Sequence, residues 1–140
     1  MRKVIGGISL MAVMCFGCAS VSGVRDEPLT TGYSQTYEAA FENVMKAARE
    51  ATIESGLKIE EANKIDGKTY MIIGKAGTSA FSWGELVRVV VQEQSPNLVA
   101  VRVLTKKKLA TNVVAKGDYS RSILSSIELK LNKQPCGSYE

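Results

Sequence analysis

The sequence predicts an α+β fold in which an antiparallel sheet of four to five strands carries two helices on one face. Two observations lead to this prediction. Apolar residues recur with helical spacing shortly after residue 36 and again near the C-terminal end, and valine-rich segments with a period of two lie between them. Because the strands are grouped between the helices, the order favours helices packed on one sheet face over alternating βαβ units.

The first helix is expected over residues 37–55, preceded by a segment at 29–36 that could pair as a first strand. Ser34 or Thr36 is the predicted N-cap, and Gly56 is the predicted left-handed residue after the helix. The residues that share one face of this helix are Phe41, Val44, Met45, Ala48 and Thr52.

Four strands are expected next, over residues 57–63, 69–74, 86–94 and 98–105. Asp66-Gly67 predicts a hairpin between the first two, and Ser95-Pro96-Asn97 predicts a turn between the last two. The valines that alternate on one face are Val87, Val89 and Val91 in one strand and Val99, Val101 and Val103 in the next. The opposite face is expected to be wetter, with Arg88, Gln92 and Arg102 pointing to it.

The last helix is expected over residues 118–132, with Asp118 as its N-cap. Its apolar face comprises Ser120, Ile123, Leu124, Ile127 and Leu131. These elements give the order strand, helix, four strands, helix.

The N-terminus has the order of an export signal. Arg2 and Lys3 are followed by about 13 largely apolar residues, and Gly17 stands directly before Cys18. The run is shorter than the roughly 20 residues that a membrane-spanning helix needs. A Cys after a small residue resembles the bacterial lipoprotein signal, which implies a lipid on the Cys18 thiol. Cys15 stands where that signal usually has an aliphatic residue, and cleavage by an ordinary signal peptidase stays open as an alternative.

The expected organisation is therefore a signal peptide over residues 1–17, a flexible tether over 18–32, one domain over 33–132 and a flexible tail over 133–140. The lipoprotein resemblance implies membrane attachment through Cys18, and Ala19 in place of Asp favours the outer membrane, facing the periplasm. A stable anchor of this kind needs two or more acyl chains, which the lipoprotein modification supplies.

Composition narrows the function classes. The chain has 18 basic and 14 acidic residues, and loss of Arg2 and Lys3 with the signal leaves a net charge of only +2, which argues against nucleic-acid binding. The absence of His removes the commonest general base and a frequent metal ligand. We expect no enzyme, cofactor or metal. Cys136 is either a tolerated thiol in the tail or the site of an intermolecular disulfide.

Two segments are candidates for contact with a partner or the membrane. Phe81 and Trp83, among small residues, could form an exposed apolar tip, or they could begin the next strand and fill the core. Lys106, Lys107 and Lys108 could face anionic headgroups, or they could form a solvated turn. The Gly-rich loop at 74–84 lacks Walker spacing, so phosphate binding is not expected.

From Tyr33 onward the layout resembles a family of small uncharacterised bacterial lipoproteins. The segments that carry the resemblance are the Tyr-containing entry to the first helix, GLKIEEANKIDGK, the valine hairpin and KGDYSRSILSSIELKL, where Gly117-Asp118 and Ser120-Arg121 enter the last helix. The same order is similar to the helix-grip domains of BamC, a lipoprotein of outer-membrane protein assembly. The resemblance implies the fold and carries no catalytic residues across.

The functional hypothesis from the sequence is a non-enzymatic, lipid-anchored domain that binds envelope proteins. The alternative is a carrier of small hydrophobic ligands, which would use the space between the sheet and the helices. An enzyme would need converging carboxylates, and the sequence distributes its acids over exposed faces.

Overall fold

The computed structural model describes residues 20–77, 84–107 and 119–133. Its elements, in chain order, are α1 (Val21–Arg25), β1 (Tyr33–Tyr37), α2 (Phe41–Glu54), β2 (Lys58–Asp66), β3 (Thr69–Lys75), β4 (Glu85–Ser95), β5 (Leu98–Lys107) and α3 (Tyr119–Lys133). The strands form one antiparallel sheet in the order β1-β5-β4-β3-β2. The predicted α+β fold is confirmed.

Both predicted turns join neighbouring strands. Between β2 and β3, the carboxylate of Asp66 accepts a hydrogen bond from the backbone N–H of Lys68 at 2.7 Å. Between β4 and β5, Asn97 adopts a left-handed conformation with φ of 59°, which Asn tolerates better than most residues. The four strands predicted from 57 to 105 therefore occur, each extended by one to three residues at one or both ends.

The period-two valines face the helices, as predicted. The sheet face that carries them is covered by α2 and α3, and the main core lies between the sheet and these two helices. Its fully buried aliphatic residues are Val44, Ile72, Val87, Val89, Val91, Val99, Val101, Val103, Ile123 and Ile127. We call this the helix-covered face and the other side the second face.

The entry to α2 differs from the prediction. Residues 33–37 pair with β5, from Tyr33 opposite Val103 to Tyr37 opposite Val99, so their backbone groups belong to the sheet ladder. Helix α2 therefore begins at Phe41, after an N-cap at Ala40 that makes no side-chain capping bond. The predicted caps Ser34 and Thr36 lie within β1 instead.

The prediction of a flexible tether does not hold for residues 20–32. Residues 20–32, which we call the N-terminal strap, form the short helix α1 and a following segment of turns and bends. They lie on the second face of the sheet. The strap buries Val24 completely. It also buries Arg88, which the sequence placed on a wet surface and which is only 1% exposed. Gln92 and Arg102, on the same face, remain partly exposed.

Gly32 marks the point where the strap turns into β1. Its φ is +115°, and a Cβ atom there would lie 2.5 Å from the carbonyl oxygen of Val103. We expect Gly32→Ala to lower the free energy of unfolding by about 2 kcal/mol, because both the backbone conformation and the contact are strained. Gly67→Ala is the matched control, since a Cβ at Gly67 meets nothing within 4 Å. Urea denaturation of both variants checks this, and an equal loss in the two would contradict it.

Candidate functional site

Arg88 fastens the strap to the sheet. It lies in β4, and its guanidinium donates to four backbone carbonyls of the strap. Nη1 donates to Val24 at 3.1 Å, to Arg25 at 3.5 Å and to Glu27 at 2.5 Å, and Nη2 donates to Pro28 at 2.8 Å. Burial lowers the pKa of Arg88, but a guanidinium stays protonated near neutral pH. These charge-assisted bonds make Arg88 the centre of the strap's attachment.

Further contacts hold the strap at its edges. Arg25 pairs with Glu61 of β2, with Nε 3.0 Å from one carboxylate oxygen, and Lys106 of β5 pairs with Glu27. These surface pairs each contribute little on their own. Beneath them, Val21 and Leu29 pack against a small apolar cluster of Met71, Ile73 and Val90. The strap is thus bound through its backbone, its charges and its apolar side chains.

The strap brings the predicted lipidation site close to the domain. Ser20 accepts a hydrogen bond from the N–H of Gly23 at 3.1 Å and caps α1, and it stands two positions after Cys18 in the sequence. Two residues span at most about 7 Å. A free tether over residues 19–32 would span about 45 Å.

An open groove lies beside α1 on the second face. It has a volume of about 510 Å³ and is lined by Arg25 of the strap and by four residues of β2 and β3, namely Glu61, Asn63, Ile65 and Met71. Ile65 is 49% exposed. The Arg25–Glu61 ion pair borders the groove, so its lining is mixed in polarity.

A second, smaller groove lies between β1 and α3. Its volume is about 260 Å³. The strand contributes Tyr33, Ser34 and Gln35, and the helix contributes Ser120, Arg121, Leu124 and Ser125. We call it the β1–α3 groove. It opens at the edge of the sheet, on the helix-covered face.

Tyr37 holds the two walls of the β1–α3 groove together. Its hydroxyl, at the end of β1, donates to the carbonyl oxygen of Leu124 in α3 at 2.8 Å. Burial, and secondarily the negative charge of Glu128, raise the pKa of Tyr37. The folded protein therefore keeps the Tyr37 proton at a pH where an unfolded tyrosine, with a pKa of about 10, has lost it.

This difference sets the sign of an alkaline pH dependence. The stability that the Tyr37 proton provides is complete below about pH 10 and is lost as the pH rises further. We expect Tyr37→Phe to cost about 1 kcal/mol near neutral pH and to reduce the alkaline loss of stability. Part of the loss should remain, because burial and Glu85 raise the pKa of Tyr119 as well. The measurement is the free energy of unfolding of Tyr37→Phe, and of the exposed control Tyr33→Phe, as the pH rises above about 10. Identical slopes of this free energy against pH in the two variants would contradict the prediction.

The structure describes only some of the residues that the sequence predicts as contact or modification sites. Lys106 is partly exposed and is engaged by Glu27 of the strap. Lys107 ends β5, with its backbone opposite Glu85. Cys18, Phe81, Trp83, Lys108 and Cys136 lie outside the described residues. Among the predicted contact residues whose side chains the structure describes, Lys106 contacts the strap.

Arg88 is the residue that sequence reasoning missed. The available signal was a lone cation within the aliphatic run LVRVVV. A charge in such a run is costly to bury unless it is paired and hydrogen-bonded, so it indicates either a wet face or a dedicated partner. The partner here is the backbone of the strap. Backbone carbonyls are present at every residue, so no side-chain pattern in the sequence indicates this partner.

The described residues show neither a metal centre nor a membrane-spanning helix. No group of three or more His, Cys, Asp or Glu residues within the described ranges is arranged to hold a metal ion. None of the helices in those ranges is both long and apolar enough to cross a bilayer.

No protein-family model matches the chain, and a search of curated proteins finds no significant match.

Proposed function

We propose that this chain is a lipid-anchored, non-enzymatic protein of the bacterial cell envelope that binds other envelope proteins. The signal-like N-terminus and Cys18 support the anchor. The observation that carries the proposal furthest is the attachment of the strap, because Ser20, which caps its helix, stands only two positions after the proposed anchor residue Cys18.

The strap determines how such a domain would sit on a membrane. Helix α1 contacts β3 and β4 on the second face, while α2 and α3 lie on the opposite side of the sheet. A lipid on Cys18 would therefore hold the second face near the headgroups. The helix layer and the β1–α3 groove would remain accessible to proteins in the periplasm.

The test is the intact mass of the protein extracted from its own cells, combined with membrane fractionation. We expect a chain that begins at Cys18, carries the added mass of a diacylglycerol and sediments with the outer membrane. An unmodified chain in the soluble fraction, or one that begins at another residue, would overturn the anchor.

A carrier of small hydrophobic ligands is the second candidate function. In the described part, the space between the sheet and the helices is filled by core side chains, which argues against the location that the sequence suggested. The open groove beside α1 favours the candidate instead, because its volume of about 510 Å³ lies within the range of small-molecule sites, roughly 300–1,000 Å³. A ligand that co-purifies with the full-length protein in native mass spectrometry would support a carrier.

A further inference from the structure

We propose that the outer edge of β1 and the adjoining β1–α3 groove bind an extended, acidic segment of a partner protein, which adds a sixth strand to the sheet. This inference rests on the partner-binding role proposed above, and it names the surface and the chemistry of the partner. It does not depend on the lipid anchor.

Within the described ranges, no strand pairs with the outer edge of β1. β1 is the last strand on its side of the sheet and pairs only with β5 among the described strands. Its residues, YSQTY, include no charged side chain and no proline. An edge strand presents unpaired backbone N–H and C=O groups, which form a template for another extended chain.

The opposite edge of the sheet is protected. β2 carries five charged residues, which are Lys58, Glu60, Glu61, Lys64 and Asp66. Its pairing with β3 is also interrupted by two register irregularities. Charges and bulges are the features by which natural edge strands avoid pairing with other chains. The contrast between the two edges identifies β1 as the receptive one.

The groove supplies a place for the side chains of an added strand. Tyr33 at its rim is 67% exposed, and Leu124 at its base is 8% exposed. The Tyr37–Leu124 hydrogen bond fixes β1 against α3, so the groove is already formed. Its volume of about 260 Å³ is below that of most small-molecule sites but can accept one or two side chains. A strand edge beside a helix is a recurrent way to bind extended peptides.

The charge of the groove selects the partner. Arg121 is exposed in the lining and joins no ion pair within the described residues. A guanidinium binds carboxylates with two parallel hydrogen bonds. The acidic residue nearest β1 on α3 is Glu128, one of whose oxygens lies 3.5 Å from the amide nitrogen of Gln35, and it does not line the groove. An acidic side chain or a terminal carboxylate of the partner is therefore expected at the Arg121 end.

The experiment uses the full-length protein in detergent and a displayed library of random peptides of strand length, about six to eight residues. The selected peptide is the probe for affinity measurements. We expect selected peptides to carry Asp or Glu, and we expect Ser125→Trp, which fills the groove, to weaken binding at least about tenfold. Ser122→Trp is the matched control, because Ser122 is also exposed on α3 but does not line the groove; it should leave the affinity unchanged.

Two further measurements separate strand addition from other modes of binding. Methylation of alternate backbone nitrogens of the peptide, in the register that pairs, should abolish binding, and the bound peptide should slow hydrogen exchange of the β1 amides. Arg121→Glu should reverse the preference from acidic to basic peptides. Failure to select any peptide, equal binding by Ser125→Trp and Ser122→Trp, or protection of β1 by a second copy of the chain would each overturn the inference.

A failure of the inferred binding surface can be told apart from a failure of the proposed lipid anchor. If the groove binds no peptide while the chain still carries lipid and sediments with the membrane, the inferred surface is wrong and the anchor stands. If peptides bind but the chain carries no lipid, the anchor is wrong and the surface stands.

Discussion

Arg88→Met is expected to lower the free energy of unfolding by about 3 kcal/mol or more and to release the strap from the sheet. Arg88 is 1% exposed and donates to four carbonyls of the strap. A hydrogen bond to a charged group contributes about 1.5–3 kcal/mol. The total loss stays below the sum of these bonds, because the freed carbonyls regain water once the strap detaches. Urea denaturation measures the loss, and hydrogen exchange of residues 20–32 reports the release.

The control is Arg102→Met on the same face of the sheet. Arg102 is partly exposed and makes one bond to the strap, from Nη1 to the carbonyl oxygen of Thr30 at 3.3 Å. We expect it to cost less than about 1 kcal/mol and to leave the strap protected. Arg88→Lys should lower the free energy of unfolding by an amount between those of Arg88→Met and Arg102→Met. An ammonium keeps the positive charge but lacks the planar arrangement of donors of a guanidinium. Equal effects of Arg88→Met and Arg102→Met would show that Arg88 does not organise the strap.

Arg88→Met is also expected to change how the domain is held relative to the membrane. With the strap released, residues 19–32 would become a tether with a reach of about 45 Å. The domain would then be free to move away from the headgroups, although the lipid would still hold the chain. If the proposed anchor is present, Arg88 would therefore set the position of the domain relative to the membrane.

Cys18→Ser is expected to remove the lipid and to shift the protein out of the membrane fraction. A serine hydroxyl does not replace the thiol in this modification, and the described residues contain no helix able to span a bilayer. Because stable attachment needs two or more acyl chains, loss of the modified residue should remove nearly all binding. Intact mass and fractionation, compared with the native chain, provide the measurement.

Cys15→Ser and Cys136→Ser are the matched controls, since these are the other two cysteines of the chain. Both variants should keep the lipid mass and the membrane location. If Cys18→Ser stayed with the membrane, a different means of attachment would operate. If Cys136→Ser lost the lipid instead, the assigned cysteine would be wrong.

Much of the fold was predictable because its signals are local. Valines such as Val87, Val89 and Val91 alternate with a period of two, and the face they share faces the helices. Asp66 specifies a tight turn because its carboxylate accepts a hydrogen bond from the backbone N–H two residues later. The start of α2 was harder to predict from the sequence. Residues 33–37 have no strong strand pattern, and their pairing with β5 joins segments more than 60 residues apart.

The candidate sites were mostly beyond the reach of sequence patterns. The β1–α3 groove requires β1 to lie beside a helix that begins at Tyr119, and no periodicity relates the two. Arg121 stood out only as part of a motif entering the last helix. Its position in the groove follows from tertiary packing.

The sequence by itself determined the α+β class and the buried valine face, because these depend on residue order and short periodicities, and it predicts the export signal with Cys18 on the same grounds. Only the tertiary structure decided that residues 20–32 are a strap and not a tether. A helix of five residues is too short to be stable alone, so α1 exists because the sheet supplies Arg88 and an apolar surface for it. The strap that follows the proposed anchor residue is thus held to the domain for a reason that lies in β4, more than 60 residues away along the chain.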